Sequence, residues 1–237
     1  MTTNHSTCVA CVNRERGFCG AVLSARERNP RSEPCTNHSR LARRGEQILH
    51  RGRISDDMLV LCDGWAFHYL QLADGRRQIL SFLLPGDLLS PLVAVRERSA
   101  SSTMALTDLQ LTGLRRAEIC NELRADTGVA LALAEALADA LSNMAELAAA
   151  LGRCSAEERV AYLILHLARR TAAQSIVRDE RYRFPLRQQH IADALGLTSV
   201  HVSRTMRQFQ DRGLIRLSGG FLEICDRREL ERIGLWL

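Results

Sequence analysis

Lysine is absent from this chain of 237 residues; all 32 of its basic side chains are arginine. Arginine favours two-pronged contacts to phosphate, carboxylate and guanine. Biased gene composition gives the same usage, so the placement of the charge says more than its type. Residues 156–237 hold 14 Arg against 10 acidic side chains, and residues 1–155 hold 18 against 17. The net charge of +5 therefore sits mostly toward the C-terminal end, as expected of a polyanion-binding segment there. A second absence is an apolar run at the N-terminus. "MTTNHSTCVACVNRERGFCG" has none, which argues against a secretory signal and for a cytoplasmic protein. The third is an unbroken membrane-length stretch. Residues 129–151 contain ten Ala but are interrupted by Glu135, Asp139 and Glu146, which excludes a span. The fourth is catalytic machinery. No nucleophile elbow, phosphate-cradling glycine loop or pair of His at i, i+4 occurs, so no enzyme is expected.

What is present falls into four stretches: an N-terminal Cys-rich arm and linker (1–44), a β region (45–115), a long helix (116–152) and a C-terminal domain (153–237). The β region carries short apolar runs punctuated by Asp63-Gly64, Asp74-Gly75 and Pro85-Gly86, a turn rhythm that predicts a small barrel or sandwich. Asp74-Gly75 is the strongest hairpin signal. In the next stretch Leu133, Leu137, Ala140, Met144, Leu147 and Leu151 step by four and three, a heptad-like seam. Leu133, Leu137, Met144, Leu147 and Leu151 are read from it as a dimer interface. The bland alternative is a helix buried within its own domain.

Ser155-Ala-Glu-Glu158 is a capping box that starts another helix. Further on, "HIADALGLTSVHVSRTMRQFQDRGLIRLSGG" spells a helix over 188–195, a turn at Gly196, and a second helix from the cap Thr198 to about Arg212, stopped by Gly213. Val202, Met206 and Phe209 form its inner face. "LIRLSGGFLEI" adds two short strands, a wing. In a winged helix-turn-helix the second helix enters the DNA major groove. The expected contact residues are Ser199, Val200, Ser203, Arg204 and Arg207, with Arg204 as guanine reader. Arg207 and Arg212, further along, are expected on phosphates. Across 181–216 there are seven Arg against two Asp.

The order of β domain, long helix and winged helix resembles the cAMP receptor protein/FNR family of bacterial transcription regulators. "DGRRQILSFLLPGDLL" is similar to that family's β-roll, and "IADALGLTSVHVSR" to its DNA-binding segment. The fold class implied is α+β: a β-roll sensor domain, a dimerisation helix and a C-terminal winged helix. The resemblance further implies a cytoplasmic homodimer on a palindromic operator in double-stranded DNA, acting with RNA polymerase and without a membrane. Arg98-Ser99 match the phosphate-holding pair of the nucleotide-binding branch, but Pro91 stands where that branch has a ribose-holding acid. Cys8, Cys11 and Cys19 resemble the N-terminal cluster of the FNR branch, which holds a [4Fe-4S] centre and senses oxygen. That pattern's fourth Cys falls on Thr112 here. Cys35, Cys62 and Cys120 are the available substitutes, Cys35 being nearest in sequence and Cys62 on a strand. Zinc, or a thiol switch without metal, suits the same triad. Val200 also departs from the branch, which carries Glu three residues before the Ser-Arg pair.

Overall fold

The computed structural model describes residues 16–28, 38–96, 98–174 and 181–234. They form two compact units, one of residues 1–70 and 82–142, the other of 71–81 and 143–237.

The first unit is built on two antiparallel sheets. Strands β1 (His38–Ala42), β7 (Leu109–Arg115) and β3 (Asp57–Asp63) make one. Strands β2 (Gln47–Leu49), β6 (Ser102–Ala105), β4 (Ala66–Gln71) and β5 (Arg77–Leu83) make the other, in that order, with residues 77–81 of β5 counted in the second unit. Strand β3 explains why its sequence reads as a continuous apolar run: it is buried on both faces. Leu59 and Leu61 join Ile48, Leu83, Ala105 and Leu111 in one core, while Met58 and Val60 join a second core on the opposite side. That second core is closed by helices α1 (Gly17–Arg28), α2 (Arg116–Ala125) and the start of α3 (Thr127–Arg153), through Phe18, Val22, Ile119, Val129 and Leu133. Gly64 turns the chain between β3 and β4 at φ +94, and a side chain there would meet the Asp108 carbonyl.

Two elements differ from the sequence reading. The arm assigned to 1–44 contains helix α1 and strand β1. Helix α1 carries only Phe18, Val22 and Ala25 as its inner apolar positions, among arginines. Strand β1 buries Ala42 and leaves Leu41 exposed, so neither shows a long apolar pattern. The helical stretch from 116 is two helices, broken at Asp126, whose carboxylate accepts from the Gly128 and Val129 amides.

The second unit holds α4 (Ala156–Gln174), β8 (Arg181–Arg183), α5 (Gln188–Leu195), α6 (Ser199–Asp211), β9 (Ile215–Ser218), β10 (Phe221–Ile224) and α7 (Arg227–Ile233). The capping box at α4 is made: Ser155 donates its amide to Glu158, and Glu158 donates back to the Ser155 hydroxyl. Gly196 ends α5 in the left-handed region, and the Thr198 hydroxyl caps α6 by accepting from the His201 amide. The wing of β9 and β10 is joined by β8 as a third strand.

Candidate nucleic-acid interface

Helix α6 is amphipathic. Val202 and Phe209 are fully buried, with Thr205 and Met206 beside them. That inner face fixes the outer one. Val200, Ser203, Arg204 and Arg207 follow at i, i+3, i+4 and i+7, a single face near the helix start. Val200 is 68% exposed, an unusual position for a branched apolar side chain. Arg204 is exposed, and Ser199 and Ser203 are half-buried. The Arg207 side chain is 84% exposed, with Asp211 3.9 Å away one turn on. Ser203 and Arg207 also line a groove of about 560 Å³ that runs from α6 to Leu217 and Gly220 of the wing. This face can enter a groove of DNA, place a guanidinium on a base edge and lay Val200 against a thymine methyl.

Arg212 departs from its expected role. Its guanidinium is clasped by Glu157 at the start of α4 and by Glu229 on α7, the latter at 3.1 Å. Arg232 first, and Arg212 with it, hold the Glu229 carboxyl below its ordinary range. Arg212 therefore ties α4, α6 and α7 together. Its partners lie 55 and 17 residues away, which no local motif reveals. Burial pushes His166 down to about 4, despite Glu146 3.7 Å away, so it stays neutral.

Helix α3 carries its apolar residues on two faces. Leu133 is 7% exposed in the core of the first unit, and Leu137 packs against that core. This corrects the seam read from sequence. Leu133 and Leu137 serve the chain's own interior, Leu147 and Leu151 are half-buried, and of those five only Met144 is well exposed. The adjoining face is the open one. Leu131 and Leu141 are 60% and 70% exposed, and between and beyond them Ala134, Ala138, Ala145 and Ala148 are exposed too. Those six positions step by three and four, a heptad stripe with small residues for close helix approach.

In the β-sheet unit, Arg98 donates to the Gly52 carbonyl at 2.8 Å and the Ser99 hydroxyl to the Ser101 carbonyl at 2.9 Å. Both members of the phosphate-type pair are turned onto their own backbone. Pro91 opens a short 3-10 turn over Pro91–Ala94.

Of the thiols, Cys8, Cys11 and Cys35 lie outside the described residues. Cys19 sits on α1, half-buried against the second core. Cys62 Sγ lies 3.1 Å from Thr112 Oγ1, so the two side chains touch across β3 and β7. Cys120 donates to the Ala94 carbonyl. Cys154 and Cys225 are free thiols. Among the described residues no three His, Cys, Asp or Glu side chains form a metal-binding group.

The chain matches two protein families, the cyclic nucleotide-binding domain over residues 39–126 and the Crp-like helix-turn-helix domain over 158–233. It is 31% identical to the nitrogen fixation regulation protein FixK of Azorhizobium caulinodans, over 80% of this chain and 76% of that one. It is also 31% identical to the transcriptional activator protein FnrL of Cereibacter sphaeroides, over 74% of this chain and 71% of that one. Among solved structures, FixK2 from Bradyrhizobium japonicum superposes with a TM-score of 0.78 at 27% identity, covering 85% of this chain and 98% of that one. The chain belongs to the cAMP receptor protein/FNR family: it is a DNA-binding transcription regulator and not an enzyme.

Proposed function

We propose that the protein is a cytoplasmic homodimeric activator that reads a two-fold symmetric operator through Ser199, Val200, Ser203, Arg204 and Arg207. The observation that carries the dimer is the open stripe on α3. By length and composition α3 is apolar enough to cross a membrane. Yet its other face is anchored in the core of the first unit through Val129 and Leu133, and Glu135, Asp139 and Glu146 interrupt it. A second copy of the same helix covers such a stripe without burying a charge. Two copies then present two α6 helices to half-sites about 34 Å apart. A dimer bound beside a promoter is placed to contact RNA polymerase.

For the signal, the donor chemistry of Cys8, Cys11 and Cys19 supports an oxygen-responsive iron–sulfur input. Cys62 is the fourth ligand we favour. It touches Thr112, the position the family pattern gives to Cys. A [4Fe-4S] centre held by these four thiolates supplies sensitivity to oxygen when bound. The residues' own part is to tie the arm to the core that α3 enters, which biases the helix toward its dimeric arrangement. The relatives' names attach them to nitrogen fixation and transcriptional activation, which suits a redox-linked regulator. The reading with no metal, a thiol switch at the same cysteines, shares the first test but differs in colour.

Wild type and Cys11→Ser are purified anaerobically and compared in DNA binding before and after air. Brown wild type that loses affinity in air, with Cys11→Ser colourless and weak throughout, is the expected result. Equal binding by both proteins in both conditions overturns the cysteine input.

A further inference from the structure

The second unit contains a segment distant in sequence from the rest of it: residues 71–81, the β4–β5 turn and the first part of β5. It grips helix α5. Arg77 donates from Nε and Nη2 to one oxygen of Asp193, at 2.8 and 2.6 Å. The other Asp193 oxygen accepts from Gln189 at 2.6 Å. The ion pair is largely shielded, with side-chain exposures of 23% and 12%, so salt screens it less than a surface pair. Next to it, Gln78 donates to the Ala194 carbonyl at 2.9 Å. Arg159 from α4 donates to the Leu195 carbonyl at 3.1 Å. The last carbonyls of a helix have no partner inside it, and here side chains from two other elements take them. The C-terminal turn of α5 is thus clamped on its carboxylate and on two of its carbonyls.

Only Gly196, Leu197 and Thr198 separate that turn from α6. With Gly196 fixed at φ +64 and Thr198 closing the cap, the link has little slack. Any tilt of α5 therefore passes to the face that holds Val200, Ser203 and Arg204.

We propose that Arg77 and Gln78 are positioning residues for base reading. Through Asp193 and Ala194 they set the pitch at which α6 is presented. This rests on α6 being the base reader.

The test turns on the sign of an effect. Asp193→Asn removes a negative charge from the helix-turn-helix. Bulk electrostatics then predict tighter binding to every DNA. Loss of the clamp predicts weaker binding to the preferred sequence alone. The probes are the duplex that wild type selects from a randomised pool and a shuffled duplex of equal length. For Asp193→Asn we expect about a tenfold loss on the selected duplex, within the range of a modest coupling energy, and no loss on the shuffled one. The exchanged pair Arg77→Asp with Asp193→Arg should recover most of it, and Gln78→Ala should show a smaller loss of the same kind. Unchanged or tighter binding of Asp193→Asn to the selected duplex overturns the inference. So does an equal loss on both duplexes, which marks a merely structural pair. If wild type itself does not prefer the selected duplex, the base-reading assignment falls, and the inference with it.

Discussion

Arg98 in the β-sheet unit and Arg204 in the winged-helix unit both sit on segments that match their families, yet they differ in what the fold leaves them to do. Arg98 is spent on the Gly52 carbonyl, with Ser99 beside it turned to the Ser101 carbonyl. Arg204 projects from the exposed face of an amphipathic helix, a face that it shares with Val200 and Arg207. Arg212, only eight positions on, resembles Arg98: two carboxylates occupy it. The same contrast separates the two apolar faces of α3, where Leu133 is consumed by the core and Leu141 is open. Residue type and spacing propose a site, and the local partners decide whether the side chain remains available to another molecule.

The contrast can be broken most forcefully on α3. Leu141→Glu places an unpaired charge in the proposed interface and should weaken the dimer by about 3 kcal/mol or more, seen as monomer in analytical ultracentrifugation. Leu133→Ala should instead open a cavity in the core and cost about 2–5 kcal/mol of fold stability. Its effect on the dimer should be much smaller. If the two variants exchange phenotypes, the assignment of the faces is reversed. A smaller effect distinguishes Arg212. Arg212→Ala should lower the urea midpoint by the equivalent of about 1 kcal/mol, since its pairs are half-exposed and screened by solvent. The salt dependence of DNA binding should stay unchanged. A salt slope reduced by about one would return Arg212 to the phosphates.

The winged helix was legible because its signals are local. Thr198, Gly196 and Gly213 mark ends within a few residues of what they cap, and Val202, Met206 and Phe209 repeat at helical spacing beside them. The hairpin at Asp74-Gly75 was legible for the same reason. The open stripe of α3 was not, because α3 carries apolar residues on two adjoining faces with the same three-four rhythm. Sequence alone does not say which face the α1–α2 core claims. Nor were the Arg212 clasp and the Arg77–Asp193 pair, whose partners lie as far as 55 and 116 residues apart. The contact of Cys62 with Thr112 depends on the β3–β7 register, which pairs Val60 with Thr112. Only the fold supplies that register.

The most direct test is binding-site selection from a randomised duplex pool with wild type and Arg204→Ala side by side. The account predicts that wild type recovers an inverted repeat with half-site centres about 34 Å apart. It also predicts that Arg204→Ala loses preference at one guanine in each half, at a cost of roughly 1–3 kcal/mol. An unpaired single site, or the same motif recovered with equal preference by Arg204→Ala, would contradict it.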